Sequence, residues 1–446
     1  MPDAVGAYGE IPIPGGDLAT LQGEVAARPA DPAARYNLAV AYLAAGQPGP
    51  AAEQLSALRR LDPRHIMARY FLGICHAEQG QLAQAIAEWQ ALTRVRPDYA
   101  PAWHLIGTAH AQLGQLDRAA EAFARAARLA PDNPLSLTYL AEVELGRGRF
   151  AEAAQAWARA AALAPEDGSV WQNLSGVYLD LGRLTEAQAA GERAVAVGHD
   201  NPAVRHNLAL TALRGGHPQV AIRHLEAALA LGATDAQTLV YLGEAHMLSG
   251  EPDRARSLWE RAAAAEPANP VPLYNLGLWH AQRGGVDQAL ASWQAALERQ
   301  PRYVPARVAG VGFLARQGRF TEATTWARPL LAESGSAAYG HTLLAEVAAR
   351  QGDLEGAGRE LAQARKLDPN DPRSLALGGV LALLAGRPAV ALADWQRAQQ
   401  SDPHLQALWT YRSLMPADTV TVLRGTGGSA AARVLEAVEA LLSQRS

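Results

Sequence analysis

The sequence predicts an all-α fold built from stacked helix–turn–helix units. From Pro32 onward a pattern recurs every 34 residues, eleven times, without an insertion or deletion. Counting Pro32 as position 1 of copy one, position 15 is glycine in every copy, from Gly46 to Gly386, and position 20 is always alanine. Hydrophobic residues make up 49% of the chain and aromatic residues only 6%, which suits closely packed helices. Such a period is typical of solenoids, in which each unit contacts only its neighbours.

The first half of each copy has the pattern of an amphipathic helix. Positions 4, 7, 8 and 11 form one face at helical spacing. Position 7 is Leu or Ile in nine copies, and position 8 is small in ten, so a neighbouring helix can approach closely. The glycine at position 15 predicts the end of this helix, because it can adopt a left-handed conformation without a clash.

The second half of each copy predicts another helix, with positions 20, 24 and 27 on its buried face. Position 24 is large and apolar in nine copies, five times Trp, and a proline at position 32 closes eight copies. Copy nine departs most from the pattern. Copies five and six lack the closing proline. We expect the packing between helices to be weakest in these three copies. The residues that depart from the pattern are Gly191, His199, Ala233, Gly310, Val311, Ala327 and Gly335.

Both ends of the chain differ from the repeats. Residues 1–16 are expected to be a disordered tail, and residues 17–31 a partial repeat whose helix, Leu18 to Ala27, caps the array. Residues 406–428 are expected to hold a partial first helix and a linker with an extended stretch from Thr419 to Leu423. Ser429 then begins an amphipathic capping helix over 429–446. Terminal caps keep a solenoid soluble.

The columns together resemble the tetratricopeptide repeat, whose signature is W-x₂-L-G-x₂-Y, then A-x₃-F, then P. The resemblance covers residues 32–405 and implies a right-handed superhelical α-solenoid. In that family the first helices line a concave groove that binds extended peptides or helices. Copy three matches the signature at Trp103, Ile106, Gly107, His110, Ala119, Phe123 and Pro131.

Composition and motifs argue against several other functions. A net charge of −4 disfavours a nucleic-acid partner, which needs clustered positive charge. The single cysteine, Cys75, excludes an internal disulfide. The sequence shows no signal peptide and no apolar run long enough to span a membrane, so we expect a cytoplasmic protein without membrane insertion.

No catalytic, metal or cofactor site is predicted. Four histidines, His76, His110, His246 and His280, occupy position 11, where a packed core histidine is expected rather than a metal ligand. The glycine-rich stretch Gly425–Ser429 lacks the second strand and acidic residue of a dinucleotide fold, and is expected to be a linker.

The candidate binding surface is the other face of the first helix, at positions 2, 5, 6, 9, 12 and 13. We call it the first-helix face. Asparagine recurs at position 6 in four copies, and its amide can both donate to and accept from a peptide backbone. This partly resembles the asparagine ladder of protein O-GlcNAc transferases. The predicted groove residues are Tyr36, Asn37, Tyr70, Phe71, His104, Tyr139, Gln172, Asn173, His206, Asn207, Tyr241, Tyr274 and Asn275.

The sequence therefore predicts a non-catalytic scaffold that binds a protein or peptide along the groove. The alternative is a substrate-presenting or adaptor subunit for an enzyme, of glycosyltransferase type, whose catalytic domain lies on another chain. The family's carboxylate clamp is not expected, because position 5 is never Lys and position 9 is never Asn. In copies nine to eleven the face turns apolar at Val308, Ala309, Ala376 and Leu377, which suggests that it buries the C-terminal helix or a second subunit in a homodimer.

Overall fold

The structure is a computed structural model that describes residues 17–332, 335–402, 406–416, 418–426 and 432–443. In these residues all regular structure is helical, and no strand occurs. The chain divides into two units, one extending to Thr234 and the other starting at Asp235. The tail expected to be disordered, residues 1–16, lies outside the described residues. The prediction of an all-α fold of stacked helix pairs is confirmed.

Unit 1 begins with a single helix and continues with one helix pair for each of copies one to six. The single helix, Leu18–Ala27, starts after Asp17, whose carboxylate accepts the backbone N–H of Thr20 (2.8 Å). Its Gln22 amide donates to the Tyr42 hydroxyl in copy one (2.7 Å). The pairs are Pro32–Ala44 with Pro48–Leu61, Ile66–Glu78 with Leu82–Val95, Ala100–Gln112 with Leu116–Leu129, Leu135–Gly146 with Phe150–Leu163, Gly168–Asp180 with Leu184–Ala196, and Pro202–Arg214 with Pro218–Ala230.

Unit 2 contains the helix pairs of copies seven to eleven and a C-terminal segment. Its pairs are Ala236–Leu248 with Pro252–Ala265, Val271–Gln282 with Val286–Arg299, Val304–Arg316 with Phe320–Ala327, Ala337–Gln351 with Leu354–Leu367, and Pro372–Leu384 with Pro388–Ala398. The C-terminal segment consists of a 3₁₀ helix, Gln406–Leu414, and two α-helices, Thr419–Thr426 and Ala432–Ser443.

The glycine at position 15 ends each first helix, as the sequence predicts. All eleven of these glycines have a positive φ, from 68° at Gly46 to 89° at Gly352, a conformation that costs other residues a steric clash. Copies five and six, which lack the closing proline, end their second helices at another left-handed glycine, Gly198 (φ 86°) and Gly232 (φ 94°). Glycine therefore replaces proline as the helix terminator in these two copies.

Position 4, expected on the packed face, also ties successive copies together through a hydrogen bond. It is Arg or Trp in six copies, and in five of these the side chain donates to the backbone carbonyl six residues earlier, at position 32 of the preceding repeat. The donor–acceptor pairs are Arg35 and Pro29, Arg69 and Pro63, Trp103 and Pro97, Trp171 and Pro165, and Arg307 and Pro301. A carbonyl left free by the end of one helix is thus satisfied by the start of the next.

The two helices of a copy interlock through positions 8 and 24. In four copies a glycine at position 8 faces a tryptophan at position 24, whose indole N–H donates to the backbone carbonyl at position 5 over 3.0 to 3.2 Å. These pairs are Gly73 and Trp89, Gly243 and Trp259, Gly277 and Trp293, and Gly379 and Trp395. Copy four has Ala141 at position 8, and the buried Trp157 indole N–H there meets no acceptor among the described residues.

Copy nine keeps the same interlock one residue earlier. Its glycine is Gly310 at position 7 and its tryptophan is Trp326 at position 23, and a Cβ on the glycine would strike the indole ring. Because the glycine and the tryptophan have both moved one position earlier, they still face each other. The second helix is short, Phe320–Ala327, and continues as a 3₁₀ helix, Arg328–Ala332.

The C-terminal segment packs on copy eleven through apolar side chains. Leu408, Leu423, Val434 and Val438 are buried in one cluster with Leu377 of copy eleven. The expected extended stretch at residues 419–423 is wrong, since Thr419–Thr426 is helical. The expected partial first helix is a 3₁₀ helix, and the predicted cap at residue 429 lies outside the described residues.

Candidate functional site

Four of the thirteen predicted groove residues are buried. Tyr70 is 4% exposed, Phe71 2%, His104 0% and Asn275 6%. Tyr70 and Phe71 pack edge to face, with ring centroids 5.2 Å apart. The expectation that these four side chains line an open surface does not hold, because they fill the space between helices.

His104 belongs to an aromatic cluster of the unit 1 core. Its ring lies 5.2 Å from the Phe123 ring and 5.1 Å from the Tyr139 ring, measured between centroids. Its Nδ1 lies 3.0 Å from the Ser136 hydroxyl. Burial lowers the pKa of His104 to about 4, so the imidazole is neutral at physiological pH. This histidine is part of the packed core.

The four asparagines at position 6 differ in their environments. The Asn207 amide donates to the backbone carbonyl of Gln172 in the preceding copy (3.3 Å). The Asn275 amide donates to Glu244 Oε1 (3.5 Å). Asn37 and Asn173 are half-buried, and their amides make no hydrogen bond to any described residue. Among the four asparagines, these two are the ones whose amides have no hydrogen bond to a described residue.

The remaining predicted residues of unit 1 are half-buried on the same face. The Gln172 amide oxygen accepts from Asn201 Nδ2 (2.9 Å) and lies 3.0 Å from His199 Nε2, so this side chain is held in place. Tyr36 contacts the rings of His65 and Phe71, and burial raises its pKa. Tyr139 and His206 are half-buried as well, as is Tyr241 in unit 2.

Unit 2 contains a cavity of about 700 Å³ on the first-helix face of copies eight to eleven. We call it the unit 2 cavity. Tyr274 is the one predicted groove residue that lines it. Leu278, Val308 and Ala309 add apolar surface, and burial raises the pKa of the Tyr274 hydroxyl. An apolar cavity with a few polar groups is the usual form of a binding site.

Two arginines and a second tyrosine add polar groups to the cavity. Arg316 and Arg373 line it and are exposed, and the Arg373 guanidinium carbon lies 4.2 Å from the centroid of the Tyr339 ring. Sequence reasoning missed all three residues. They occupy positions 2 and 13, which belong to the first-helix face, but the predicted set was drawn only from positions 5 and 6.

The carboxylates near the cavity already have partners. Glu346 accepts from Arg350 Nε (2.8 Å), and burial raises the pKa of Glu346 while Arg350 opposes that rise. The Asp371 carboxylate accepts the backbone N–H of Ser374 (2.8 Å) at the start of the copy eleven helix. Glu346 attracts Arg316 through space, but no carboxylate of the described residues forms an ion pair with Arg316 or Arg373.

The histidines at position 11 are engaged within their own copies. His76 Nδ1 and His110 Nδ1 each lie 2.8 Å from a glutamine Oε1, of Gln81 and Gln115. Within the described ranges no three His, Cys, Asp or Glu side chains meet to hold a metal ion. No helix of that part of the chain is long and apolar enough to cross a bilayer.

Sequence profiles of the tetratricopeptide repeat match most of the chain. One profile matches residues 36–90, 76–134, 206–270, 274–338, 313–372 and 342–406, and a second matches residues 144–210. The matches cover copies of both units. No match is found among curated protein sequences.

Solved structures with similar helical repeats include three well-covered examples. YrrB, described as a TPR protein with an unusual peptide-binding site, is 21% identical over 42% of this chain and 96% of its own, with a TM-score of 0.37. PilF of Pseudomonas aeruginosa is 20% identical over 45% and 92%, with a TM-score of 0.37. Yeast Tom70 is 13% identical over 86% and 95%, with a TM-score of 0.47. These values are too low to relate the ligands of those proteins to this chain.

Proposed function

The chain belongs to the tetratricopeptide repeat family, and we propose that it is a non-catalytic scaffold that binds an extended peptide or helix of a partner protein on its first-helix face. The family fold suggests a protein–protein interaction scaffold. The choice of this face, and of a peptide as its ligand, is the part that we propose.

The observation that carries the proposal is the unit 2 cavity. It combines apolar walls at Leu278 and Val308 with the hydroxyls of Tyr274 and Tyr339. Leu278 is 36% exposed and lies beside Val308 and Phe313 in the wall of the cavity, so apolar surface is available there for a partner side chain. A peptide side chain would bury Leu278 and Val308, while the peptide backbone would find hydrogen-bond partners at the rim.

The first-helix face of unit 1, taken by itself, is more polar. Asn37 and Asn173 carry free amides, which can bind the peptide backbone irrespective of side-chain sequence. Asn207 and Asn275 are engaged within the protein and are left out of the proposed contact surface. Tyr70, Phe71 and His104 are left out because they are buried.

A selection experiment tests the proposal. A phage-displayed library of random peptides is selected on the immobilised full chain, and the affinity of enriched peptides is measured by fluorescence anisotropy. Ala309 lines the cavity, so Ala309→Trp should fill it and weaken binding by at least about tenfold. The matched control is Ala291→Trp, at an exposed site on the second helix of copy eight. Equal binding to the two variants, or no enriched peptide, would refute the cavity as the site.

The alternative is that the chain presents substrates to an enzyme of glycosyltransferase type. That function would use Asn37 and Asn173, and no cavity would be required. Truncation of both amides to alanine would then abolish activity of the enzyme on the bound substrate, while Ala309→Trp would leave it intact. Under the scaffold proposal, Ala309→Trp should have the larger effect on partner binding and the two asparagine truncations the smaller one.

The proposal extends to partners and location. We propose protein or peptide partners, no nucleic-acid partner in view of the net charge of −4, no membrane insertion, and a cytoplasmic location. A homodimer through the C-terminal repeats is less well supported, because the chain's own C-terminal segment covers Leu377. Light scattering at increasing protein concentration tests the dimer: a constant monomer mass would exclude it.

A further inference from the structure

We propose that the unit 2 cavity recognises an acidic side chain, Asp or Glu, that lies beside a large apolar side chain in an extended segment of a partner protein. The inference rests on the proposed function and adds the chemistry of the ligand. Arg316 and Arg373 bind the carboxylate, and the apolar wall around Leu278 and Val308 receives the neighbouring side chain.

Several arginines of unit 2 form ion pairs with carboxylates, whereas the two cavity arginines form none with a described residue. Arg283 pairs with Asp253, Arg319 with Glu322, and Arg350 with Glu346, at 2.7 to 3.1 Å. No carboxylate of the described residues pairs with Arg316 or Arg373. Arg373 donates a hydrogen bond to the Tyr339 hydroxyl, which leaves most of its five N–H donors for a carboxylate, and both arginines line the cavity.

Three acidic side chains neighbour the cavity, and each already accepts a hydrogen bond from within the protein. Glu346 is buried and held by Arg350, and Asp371 caps the first helix of copy eleven. Glu244, at the opposite end, is half-buried and accepts a hydrogen bond from Asn275. Glu346 acts on Arg316 only through space, and none of the three forms an ion pair with a cavity arginine, so an anionic ligand is favoured over a neutral or cationic one.

The Arg373 side chain is preorganised by its contact with Tyr339. Its guanidinium stacks over the Tyr339 ring, with 4.2 Å between the guanidinium carbon and the ring centroid. A cation–π contact restricts the arginine side chain and orients its N–H groups. Less conformational entropy is then lost when the carboxylate binds.

A protein side chain fits this site better than a nucleic-acid backbone does. Two arginines neutralise too little charge for a phosphate chain, and the protein as a whole is acidic, with a net charge of −4. The cavity of about 700 Å³ opens among apolar residues, which require an apolar group next to the carboxylate. We therefore commit to an acidic–apolar peptide segment.

The test compares peptides that differ only in charge. From the library selection, enriched peptides are synthesised with their acidic residues and again with Asp→Asn and Glu→Gln replacements. Affinities are measured for the full chain, for the double variant Arg316→Gln with Arg373→Gln, and for the control Arg359→Gln. Arg359 is exposed on the second helix of copy ten, away from the cavity.

The expected result is enrichment of Asp or Glu next to Leu, Phe or Trp. Loss of the peptide carboxylate, or of both cavity arginines, should weaken binding by about tenfold or more, without a further loss when both changes are combined. Arg359→Gln should bind normally, and binding of the acidic peptide should weaken as salt is added.

Two results would overturn the inference in distinguishable ways. If enriched peptides bind the cavity, as judged by their sensitivity to Ala309→Trp, but neither their charge nor the arginines matter, the acidic specificity is wrong and the proposed function stands. If no enriched peptide is sensitive to Ala309→Trp, both the inference and the proposed cavity site fail.

Discussion

Gly243→Ala is expected to destabilise unit 2, although alanine is the better helix former. A Cβ at this position would lie 2.8 Å from Trp259 Cδ1 and 2.9 Å from Cε2, distances that packed carbon atoms do not reach. Trp259 is buried, and its indole N–H donates to the Val240 carbonyl (3.2 Å). The added methyl group must therefore displace the ring and stretch or break this hydrogen bond.

The magnitude follows from three terms. Inserting a methyl group into a packed core costs about 1–3 kcal/mol, and the weakened hydrogen bond adds about 1 kcal/mol. Replacing glycine with alanine inside a helix returns about 1 kcal/mol. The net loss should be about 1–3 kcal/mol. Copy four tolerates Ala141 at the equivalent position, but there the Trp157 indole N–H is left without an acceptor among the described residues.

The assay is chemical denaturation followed by circular dichroism and tryptophan fluorescence. Gly243→Ala should lower the denaturation midpoint of unit 2. The matched control is Gly358→Ala, in the interior of the Leu354–Leu367 helix, where an added Cβ meets no atom within 4 Å. That change should raise stability by up to about 1 kcal/mol. If both substitutions raise the midpoint equally, the interlock between positions 8 and 24 does not limit packing.

Three further predictions concern other parts of the chain. His104 should lower stability by about 3 kcal/mol as pH drops from 6.5 toward 4, because its pKa is lowered to about 4 in the folded state and the unfolded chain takes up the proton first. His104→Gln should remove this part of the pH dependence in denaturation curves, and an unchanged pH profile would contradict it. Arg350→Met removes hydrogen bonds to Glu346, the Ser413 hydroxyl and the Thr410 carbonyl, so amide hydrogen exchange of residues 406–414 should accelerate by about tenfold. An unaltered exchange rate would mean that apolar contacts alone hold this segment. Gly198→Ala forces an alanine into the left-handed conformation at φ 86° and should lower the free energy of unfolding by about 1–2 kcal/mol. A denaturation midpoint equal to that of the parent chain would show that the helix end rearranges freely.

The sequence was sufficient to predict the helix pairs, because the residues that end and interlock them recur in fixed columns. Each glycine at position 15 adopts the left-handed conformation that was expected of it. The prediction was wrong at residues 419–423, where Thr and Val favour an extended chain in isolation. Burial of Leu423 against copy eleven and the last helix outweighs that local preference.

The candidate site was only partly predictable, because a column does not determine the exposure of a side chain. Positions 5 and 6 are buried at Tyr70 and Phe71, where the two large rings pack against each other and the Phe71 ring also packs against Tyr36. They are half-buried at Asn37 and Asn173, where the side chain is small and polar. Exposure depends on what the neighbouring copies place beside each residue, and that information is spread over several repeats.

The unit 2 cavity shows how departures from the repeat create a site. Copy two fills positions 5 and 6 with Tyr70 and Phe71, whereas copy nine places Val308 and Ala309 there. The smaller side chains leave open volume on the first-helix face, and the one-residue shift of Gly310 keeps the helix pair packed behind it. Copy nine therefore supplies the open space, the apolar surface of Val308 and the guanidinium of Arg316 together, and the neighbouring copies supply the rest of the lining. Restoring the repeat at Ala309 with a large ring should close the cavity without weakening the stack, which separates the binding role of this copy from its structural one.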